Sequence, residues 1–398
     1  MIARHTFALV VALSFSASSC DDFLPAAPPD DTLLDGPVEG LSEEQQRQFL
    51  LGDKAFNDEV FTVETGLGPI FVATSCGSCH AGDGKGHPFT TLTRFGQADP
   101  SGNQYLDQGG PQLQHRAIPG YKPEELPAGA TFSRLTPPSN TGLGFLELVS
   151  DADILALADP DDNDGDGISG TPNWINIPPY TNPPSDAVTQ NGKYIGRFGK
   201  KGAVFNLLQQ TVGAYNQDIG ITSDFERRDV YSGQDIEPEV STQTILDLVF
   251  YLQTLKVPIQ RRSDEPEILQ GKDIFIQISC EACHKQTLVT GNSNVDALSN
   301  KTFHPYTDLL VHDMGSELDD GYTEGSAFSY EWRTPPLWGL GLAPQSQGGE
   351  YFLLHDGRAR SISEAIMLHG GEGTGSREKF SQLSTEDKSL LIKFLESL

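Results

Sequence analysis

The sequence predicts a mainly α-helical protein made of two domains. Its 398 residues are enough for two domains of ordinary size, each with its own hydrophobic core. Four of its five cysteines lie in two CxxCH segments, SCGSCH from Ser75 and SCEACH from Ser279. Several segments carry apolar residues at the spacing of an amphipathic helix. We name residues 76–80 the first box and residues 280–284 the second box, and we expect one box in each domain.

Capping residues and apolar periodicity predict where the helices lie. Ser42 followed by Gln45 forms a capping box at the start of a helix over 42–56. Further helices are expected over 203–217, over 241–255, over 267–278 and from 384 to the C-terminus. Residues 64–190 are rich in Gly, Pro and Asn and show little periodicity, which predicts long irregular loops.

The first residues predict an exported, lipid-anchored protein. Residues 1–19 carry positive charge near the start, then an apolar run and small residues, as in a secretory signal peptide. Cys20 follows directly, as in the lipobox of a bacterial lipoprotein, and residues 20–41 are rich in Pro and Asp, as in an extended tether. No other stretch is apolar for about 18 residues. We expect a periplasmic or cell-surface location, and the alternative is a disordered mature N-terminus without lipid.

The net charge narrows the choice of partners. At −28, the chain is too acidic to bind nucleic acid or anionic lipid headgroups by charge. Acidity of this size suits an extracytoplasmic protein that meets a cationic redox partner. We expect a small cytochrome, a cupredoxin or a quinol-linked chain as electron donor, and membrane contact only through a lipid anchor.

The two boxes predict covalently bound haem. Two intervening residues let both thiols reach the vinyl groups of one porphyrin, and the histidine that follows lies under the iron. The expected attachment and ligand residues are Cys76, Cys79 and His80 for one haem c, and Cys280, Cys283 and His284 for the other. Three alternatives are a redox-active dithiol, one zinc ion bound by all four cysteines, and disulfides within the boxes.

The order of elements predicts the type of domain. A helix, a CxxCH segment, loops and a terminal helix follow one another as in a small cytochrome c domain. The polar segment QRRSDEPE at 260–267 places the boundary, so the domains are expected at 42–262 and 263–398. The expected fold is therefore mainly α, with two cytochrome c-like domains that have long irregular loops, each around one c-type haem.

Longer motifs resemble a known family. They lie at 66–86, 164–175, 196–223, 303–321, 331–341 and 352–372 and include DGDGISGTPNWI, EWRTPPLWGLG and FLLHDGRARSISEAIMLHGGE. Through them the chain resembles the di-haem oxidoreductase family, also labelled thiol oxidoreductase or peroxidase, a branch of the bacterial di-haem cytochrome c peroxidase superfamily. The resemblance extends from about Phe56 to Leu398. It implies two mostly helical cytochrome c domains that face each other across an interface.

The resemblance also implies a distal ligand for the C-terminal haem. Superfamily members carry an HDG turn and, fourteen residues after its histidine, this ligand, which is Met in the peroxidases. Counting from His355 leads to His369. A second imidazole makes a haem six-coordinate and low-spin, at a lower potential than Met gives, which suits electron storage or transfer. Met314 is the alternative ligand, and His355 is expected to be a turn residue bonded to backbone.

The resemblance places the reactive haem at the first box. The distal pocket of the peroxidases carries a Gln and then an acidic residue, and NLLQQTVGAYNQDIG at 206–220 follows this pattern when one residue is dropped. It implies catalytic roles for Gln210 and Asp218. A carboxylate above an open iron can take a proton from peroxide and return it to the leaving oxygen. Asp is shorter than the Glu of the peroxidases, and the alternative role for Asp218 is a solvated residue at a helix end.

An acidic segment resembles the opening of a calcium loop. Asp162, Asp164 and Asp166 with Gly167 form DxDxDG, but Asn173 stands where the twelfth position needs Glu. Calcium bound by these three carboxylates is one prediction, and an acidic turn is the other.

Aromatic residues and two further histidines are assigned ordinary roles. Trp174, Trp332 and Trp338 are expected to pack in the core, with an electron relay between haems as the alternative. His87 and His115 lie in loops and are expected at the surface.

Together these features predict an exported di-haem c-type oxidoreductase. Electrons would enter at the haem of His284 and His369, pass to the haem of His80 and reduce peroxide there. The alternative is an electron-transfer cytochrome without peroxidase activity, which serves iron uptake or iron redox at the cell surface beside an imelysin-type protein. A haem-free dithiol oxidoreductase is the third hypothesis.

Overall fold

The structure is a computed structural model that describes residues 29–398. The predicted signal peptide at 1–19, the predicted lipidation site Cys20 and the tether up to residue 28 lie outside the described residues. Within 29–398 no helix has the length and apolar character needed to cross a membrane. Export and anchoring therefore stay predictions.

The predicted fold class is wrong. Helices of all types hold 34% of the described residues and strands 11%, so the chain is not the mainly α-helical pair of cytochrome c-like domains expected from the sequence. The cause lies in composition, since 41 glycines and 26 prolines interrupt helices and strands alike. The structure is mixed, with helices, small antiparallel sheets and long connecting loops.

Each helix that the sequence predicts has a counterpart in the structure, and several short helices were not predicted. The α-helices are Glu43–Asp53 (α1), Leu143–Glu147 (α2), Asp151–Leu157 (α3), Leu207–Ala214 (α4), Thr242–Thr254 (α5), Pro266–Gln277 (α6), Ala343–Ser346 (α7), Ile362–Met367 (α8), Thr374–Gln382 (α9) and Thr385–Ser397 (α10). Oγ of Ser42 accepts from the backbone N–H of Gln45, whose Oε1 accepts from the N–H of Ser42, so the predicted capping box is confirmed. The helix predicted over 203–217 is shorter, and a π-helical turn, Tyr215–Ile219, continues it.

The strands form small antiparallel sheets between the helices. They are Ile70–Phe71 (β1), Leu92–Phe95 (β2), Arg116–Ala117 (β3), Phe132–Leu135 (β4), Trp174–Ile175 (β5), Thr189–Gln190 (β6), Lys193–Ile195 (β7), Leu288–Val289 (β8), Thr302–Phe303 (β9), Val311–Asp313 (β10) and Glu331–Arg333 (β11). The pairs are β1 with β3, β2 with β4, β5 and β6 with β7, β8 with β9, and β10 with β11. Strands of two to four residues are too short to show alternation in a sequence.

Two helix pairs pack through a glycine. α1 packs on α5, and α6, the helix before the second box, packs on the terminal helix α10. A Cβ on Gly52 would lie 2.2 Å from the carbonyl oxygen of Asp247, and a Cβ on Gly271 would lie 2.2 Å from that of Leu390. Glycine therefore lets the two backbones approach more closely than any side chain permits.

The buried apolar side chains form two main clusters. The first includes residues of α1, α4 and α5 together with Leu288, Phe303 and Trp338. The second is built mainly on α6, α8 and α10. The division into domains at 262/263 stays a prediction, and the first cluster draws residues from both sides of it.

Candidate functional site

Both boxes open onto one internal cavity. The cavity has a volume of about 450 Å³. All cysteines and histidines of the two boxes line it: Cys76, Cys79, His80, Cys280, Cys283 and His284. Two segments far apart in the sequence therefore face a single space.

The histidine of each box has one ring nitrogen bonded to backbone. Nδ1 of His80 donates to the carbonyl of Pro138 at 2.9 Å, and Nδ1 of His284 donates to the carbonyl of Tyr306 at 3.0 Å. Burial lowers the pKa of both imidazoles to about 4, so both rings are neutral at pH 7. A neutral ring that carries its proton on Nδ1 leaves Nε2 as the nitrogen able to bind a metal.

Aromatic side chains of the helix pairs pack against these two rings. The centroid of Phe56, in the turn after α1, lies 5.9 Å from that of His80. In the same way Phe275 of α6 lies 6.4 Å from His284. Each phenylalanine also contacts an aromatic ring of the partner helix, α5 or α10. The helix pairs therefore position both histidines in a similar way.

The cysteines disfavour the dithiol and zinc alternatives. None of those within the described residues forms a disulfide. Burial raises the pKa of Cys76 and Cys280 to about 12 and that of Cys79 to about 11, whereas a redox-active dithiol needs a thiolate near neutral pH. Over the part of the chain that the structure describes, the four sulfur atoms also do not gather into a metal-binding group.

A third imidazole, that of His369, lines the cavity. His369 follows α8, and its Nδ1 donates to the carbonyl of Ala365 at 2.7 Å. Burial lowers its pKa, and its charge acts on His284, so the two rings lie within electrostatic reach of each other. Met314 also lines the cavity and packs against the cluster that contains Trp332. Both predicted candidates for the distal ligand are thus at the wall, and His369 shares the carbonyl-bonded arrangement of the box histidines.

The predicted catalytic residues lie on the cavity wall. Gln210 is on α4, and Asp218 is in the π-helical turn that follows this helix. Oδ1 of Asp218 accepts a hydrogen bond from Nε2 of Gln112 at 2.5 Å. Burial raises the pKa of Asp218 to about 6, and its charge acts on both cysteines of the first box. Asp218 is therefore a cavity carboxyl near the first box rather than a solvated residue at a helix end.

The sequence did not predict the hydrogen-bond network around Asp218. Arg94 on β2 pairs through Nε with Glu324 at 3.1 Å and donates from Nη1 to Gln217 at 3.1 Å. Oε1 of Gln112 accepts from the same Nη1 at 3.4 Å. The side chain of Arg94 is 25% exposed and lines the cavity. The only sequence signal is a charged residue in the short strand LTRF, while Gln112 and Glu324 lie in loops distant along the chain.

A second cluster that the sequence did not predict surrounds His312 on β10. Its Nε2 lies 2.9 Å from Oδ2 of Asp308, and its Nδ1 lies 2.6 Å from Oε2 of Glu372. Burial opposes protonation, but hydrogen bonds to the two carboxylates hold the pKa of His312 well above its ordinary value. Sγ of Cys283 lies 3.6 Å from the same Nδ1. An imidazolium with both N–H groups donated to carboxylates therefore lies beside the second box.

The acidic segment does not follow the predicted DxDxDG grouping. Carboxylate oxygens of Asp159, Asp162 and Asp164 lie within 4.8 Å of one another. Asp166 instead accepts a hydrogen bond from the backbone N–H of Ile168. Calcium binding stays a prediction, and Asp159 takes the place of Asp166 in the cluster that would bind it.

Some of the tryptophans and remaining histidines line the cavity, and the others do not. Trp332 and Trp338 are buried and line the cavity, whereas Trp174 does not, within the described residues. The ring of His355 stacks on Trp332 at 3.7 Å, and its backbone carbonyl accepts hydrogen bonds, in line with the predicted turn role. Among the described residues, three histidines do not line the cavity: His87, His115 and His304.

The donor set fits haem. Three imidazoles with Nδ1 bonded to backbone carbonyls share one cavity with the two cysteine pairs of the boxes. Imidazole nitrogen is a common haem ligand, and thiol pairs in CxxCH are the attachment groups of c-type haem. The fold and the site therefore define a haem-binding protein of the redox class.

The sequence model of one family identifies the chain more closely. Its description is "Di-haem oxidoreductase, putative peroxidase", and the match covers residues 133–398. The chain belongs to this family, and at that level it is a haem-binding oxidoreductase. The matched range contains the second box, Asp218 and His369, and it begins after the first box.

The other comparisons do not refine this assignment. No curated protein matches the chain. Among solved structures, the chain is similar to hydrazine synthase from Kuenenia stuttgartiensis pressurised with 20 bar xenon, at 14% identity over 100% of this chain and 99% of that chain. The TM-score is 0.39, and no argument rests on this similarity.

Proposed function

We propose that the chain is an exported di-haem c-type oxidoreductase that reduces peroxide with electrons from a donor protein. The observation that carries the proposal is the asymmetry of the shared cavity. The second box has a further imidazole within electrostatic reach, that of His369, and the carboxylates beside it, Asp308 and Glu372, are bonded to His312. Near the first box, by contrast, lies the carboxyl group of Asp218, whose pKa of about 6 allows it to take up and release a proton near neutral pH. The second box is thus suited to electron storage, and the first box is suited to proton transfer.

The residues that would hold the haems are those of the two boxes. Cys76 and Cys79 would attach one porphyrin, with Nε2 of His80 on its iron. The second box would attach the other, and His284 and His369 would be the ligands of its iron. When bound, the haems supply one-electron transfer and reduction of the O–O bond, with electrons arriving at the second box and peroxide at the first.

Asp218 is proposed to move the proton in this reaction. Its pKa of about 6 leaves most of the carboxyl group ionised near pH 7, so it can accept a proton from peroxide. The Gln112 hydrogen bond orients Oδ1. Because the pKa lies close to neutral pH, the same carboxyl can also return the proton to the leaving oxygen.

Two neighbouring side chains are proposed to assist. Arg94 carries a positive charge on the cavity wall, and Glu324 and Gln217 hold its guanidinium in place. A fixed positive charge stabilises negative charge that develops on oxygen in a water-poor site. Gln210 lines the same cavity and can donate an amide N–H to bound peroxide.

Location and partners complete the proposal. The signal-like residues 1–19 and Cys20 support export to the periplasm or cell surface with a lipid anchor. The net charge of −28 supports a cationic electron donor, either a small cytochrome or a cupredoxin, with a quinol-linked chain as the other source. A role in iron redox beside an imelysin-type protein would use the same electron path with a different substrate.

The proposal is tested on the full chain expressed with a cytochrome c maturation system. We expect a pyridine haemochrome assay and intact mass to find two haems c per chain, and Cys76→Ser with Cys79→Ser to remove one of them. The oxidised protein should show one high-spin and one low-spin haem by EPR, and it should turn over peroxide with a small cytochrome as donor. A colourless protein contradicts the haem assignment, and two low-spin haems without turnover contradict peroxide reduction.

A further inference from the structure

Three positively charged side chains line the wall of the shared cavity. They come from separate parts of the chain: Lys85 from the loop after the first box, Lys200 from the turn before α4, and Arg333 from the end of β11. The backbone N–H of Arg333 donates to the carbonyl of Lys200 at 3.0 Å, so two of these segments are in contact. The charges of Lys85 and Arg333 both act on Lys200, so both lie within electrostatic reach of it.

These cations have no carboxylate partner at ion-pair distance among the described residues. Lys85 and Lys200 make no side-chain hydrogen bond within residues 29–398, and the guanidinium of Arg333 donates to the backbone carbonyls of Gly199 and Thr334. The carboxylate that acts on Lys200 is that of Asp356, which bonds to Arg358 instead. We name Lys85, Lys200 and Arg333 the cation cluster.

Two arginines of the interior have carboxylate partners, whereas the buried Lys201 donates to three backbone carbonyls. Arg94 pairs with Glu324 at 3.1 Å, and Arg197 pairs with Asp151 at 2.5 Å. The chain does not lack acidic residues, since Asp and Glu number 55 against 27 Lys and Arg. Three like charges facing a shared cavity repel one another and lose solvation, so all three stay protonated only with an anion among them. Burial lowers the pKa of Lys85 to about 8 and that of Arg333 to about 10, in agreement with a site that lacks its counter-charge.

The anion must be one that enters this cavity. Under the proposed function the cavity holds two porphyrins, each of which carries two propionate carboxylates. The charge of Lys200 acts on the ring of His80, and Lys85 lies shortly after the same box, so the cation cluster lies near the first box. We propose that Lys85, Lys200 and Arg333 bind the propionate carboxylates of the haem held by the first box. This inference rests on the proposed function.

The cation cluster would affect electron transfer between the two haems. A positive charge beside a haem favours its reduced state, which carries one more electron, and so raises its reduction potential. Three cations near the first box would therefore make its haem the stronger electron acceptor. The direction agrees with electron flow from the second box to the first.

The test is a reduction potential, measured by spectroelectrochemical titration of both haems in the full, haem-loaded chain. Lys200→Gln and Lys85→Gln should each shift the potential of one haem to a lower value, and Lys200→Arg, which keeps the charge, should restore it. Lys122→Gln removes the same charge from an exposed position and should leave both potentials unchanged. Unchanged potentials in both Gln variants, with two haems still bound, would overturn the inference.

Two further outcomes are informative. If Lys200→Gln loses one haem while Lys200→Arg and Lys122→Gln keep two, the charge is needed to retain that haem, which supports the site. If added formate changes the spectrum of the wild-type chain but not that of Lys200→Gln, the cluster binds a free carboxylate and the propionate assignment is overturned. Failure of the proposed function would appear separately, as absent peroxide turnover or absent haem.

Discussion

The two boxes share a sequence pattern and a mode of support, but the side chains around them differ. Each histidine bonds to a backbone carbonyl and packs on a phenylalanine of a nearby helix pair. Near the first box lie Asp218, with a raised pKa, and the network of Arg94. Near the second box lie His369 and the imidazolium of His312. The two boxes therefore share the CxxCH pattern, while residues from distant segments differ between them and would decide the chemistry proposed for each site.

The largest expected effect concerns His369, the proposed distal ligand of the haem at the second box. His369→Ala removes the proposed sixth ligand, so one haem should change completely from low-spin to high-spin in the EPR spectrum. His87→Ala, outside the cavity wall, is the matched control and should leave the spectrum unchanged. If His369→Ala keeps the low-spin signal and Met314→Leu loses it, Met314 is the ligand, and His369 no longer distinguishes the second box from the first.

The next largest effect concerns Asp218, the proposed proton-transfer residue near the first box. Asp218→Asn cannot accept a proton, so peroxide turnover should fall by about 10²–10⁴-fold, the usual contribution of a positioned general base. The wild-type rate should fall as the pH drops through about 6, because protonation removes the required carboxylate, and the variant should lose this inflection. Asp224→Asn, with an exposed side chain, serves as control. Equal steady-state rates in the wild type and Asp218→Asn would remove Asp218 from the mechanism.

A smaller effect tests whether the two helix pairs support the boxes equally. Gly52→Ala and Gly271→Ala each place a Cβ 2.2 Å from a backbone oxygen, which forces the helices apart. Overpacking of this kind lowers the free energy of unfolding by about 1–3 kcal/mol. Gly375→Ala on α9 has open space around its Cβ and should show no such loss. Denaturant unfolding of the haem-loaded chain measures the free energy of unfolding of all three variants. An unchanged free energy for Gly52→Ala or Gly271→Ala would show that the helix pair concerned can separate without cost.

The smallest effect concerns the acidic segment. If calcium binds there, adding it should raise the melting temperature slightly, because a ligand that binds only the folded state stabilises that state. Asp159→Asn should abolish the rise, and Asp166→Asn should keep it, since Asp166 lies outside the carboxylate cluster. Loss of the rise in Asp166→Asn alone would restore the DxDxDG grouping.

Local signals in the sequence predicted the parts of the structure that depend on near neighbours. The capping box of Ser42, the helices α5, α6 and α10, and the two CxxCH boxes all rest on residues a few positions apart. The fold class was wrong because strands of two to four residues leave no periodic trace. The partners of Asp218 could not be predicted either, since Gln112, Arg94 and Glu324 meet only through long-range folding. Asp159 was missed because the calcium pattern begins at Asp162.

The single cavity has a consequence for how the protein matures. Under the proposed function, both haems would cover the wall of this one cavity. A chain with haem at only one box would leave part of the apolar cavity wall in contact with water, which is unfavourable. If the proposed function holds, binding of the first haem makes binding of the second more favourable, and chains that carry a single haem should be scarce after maturation.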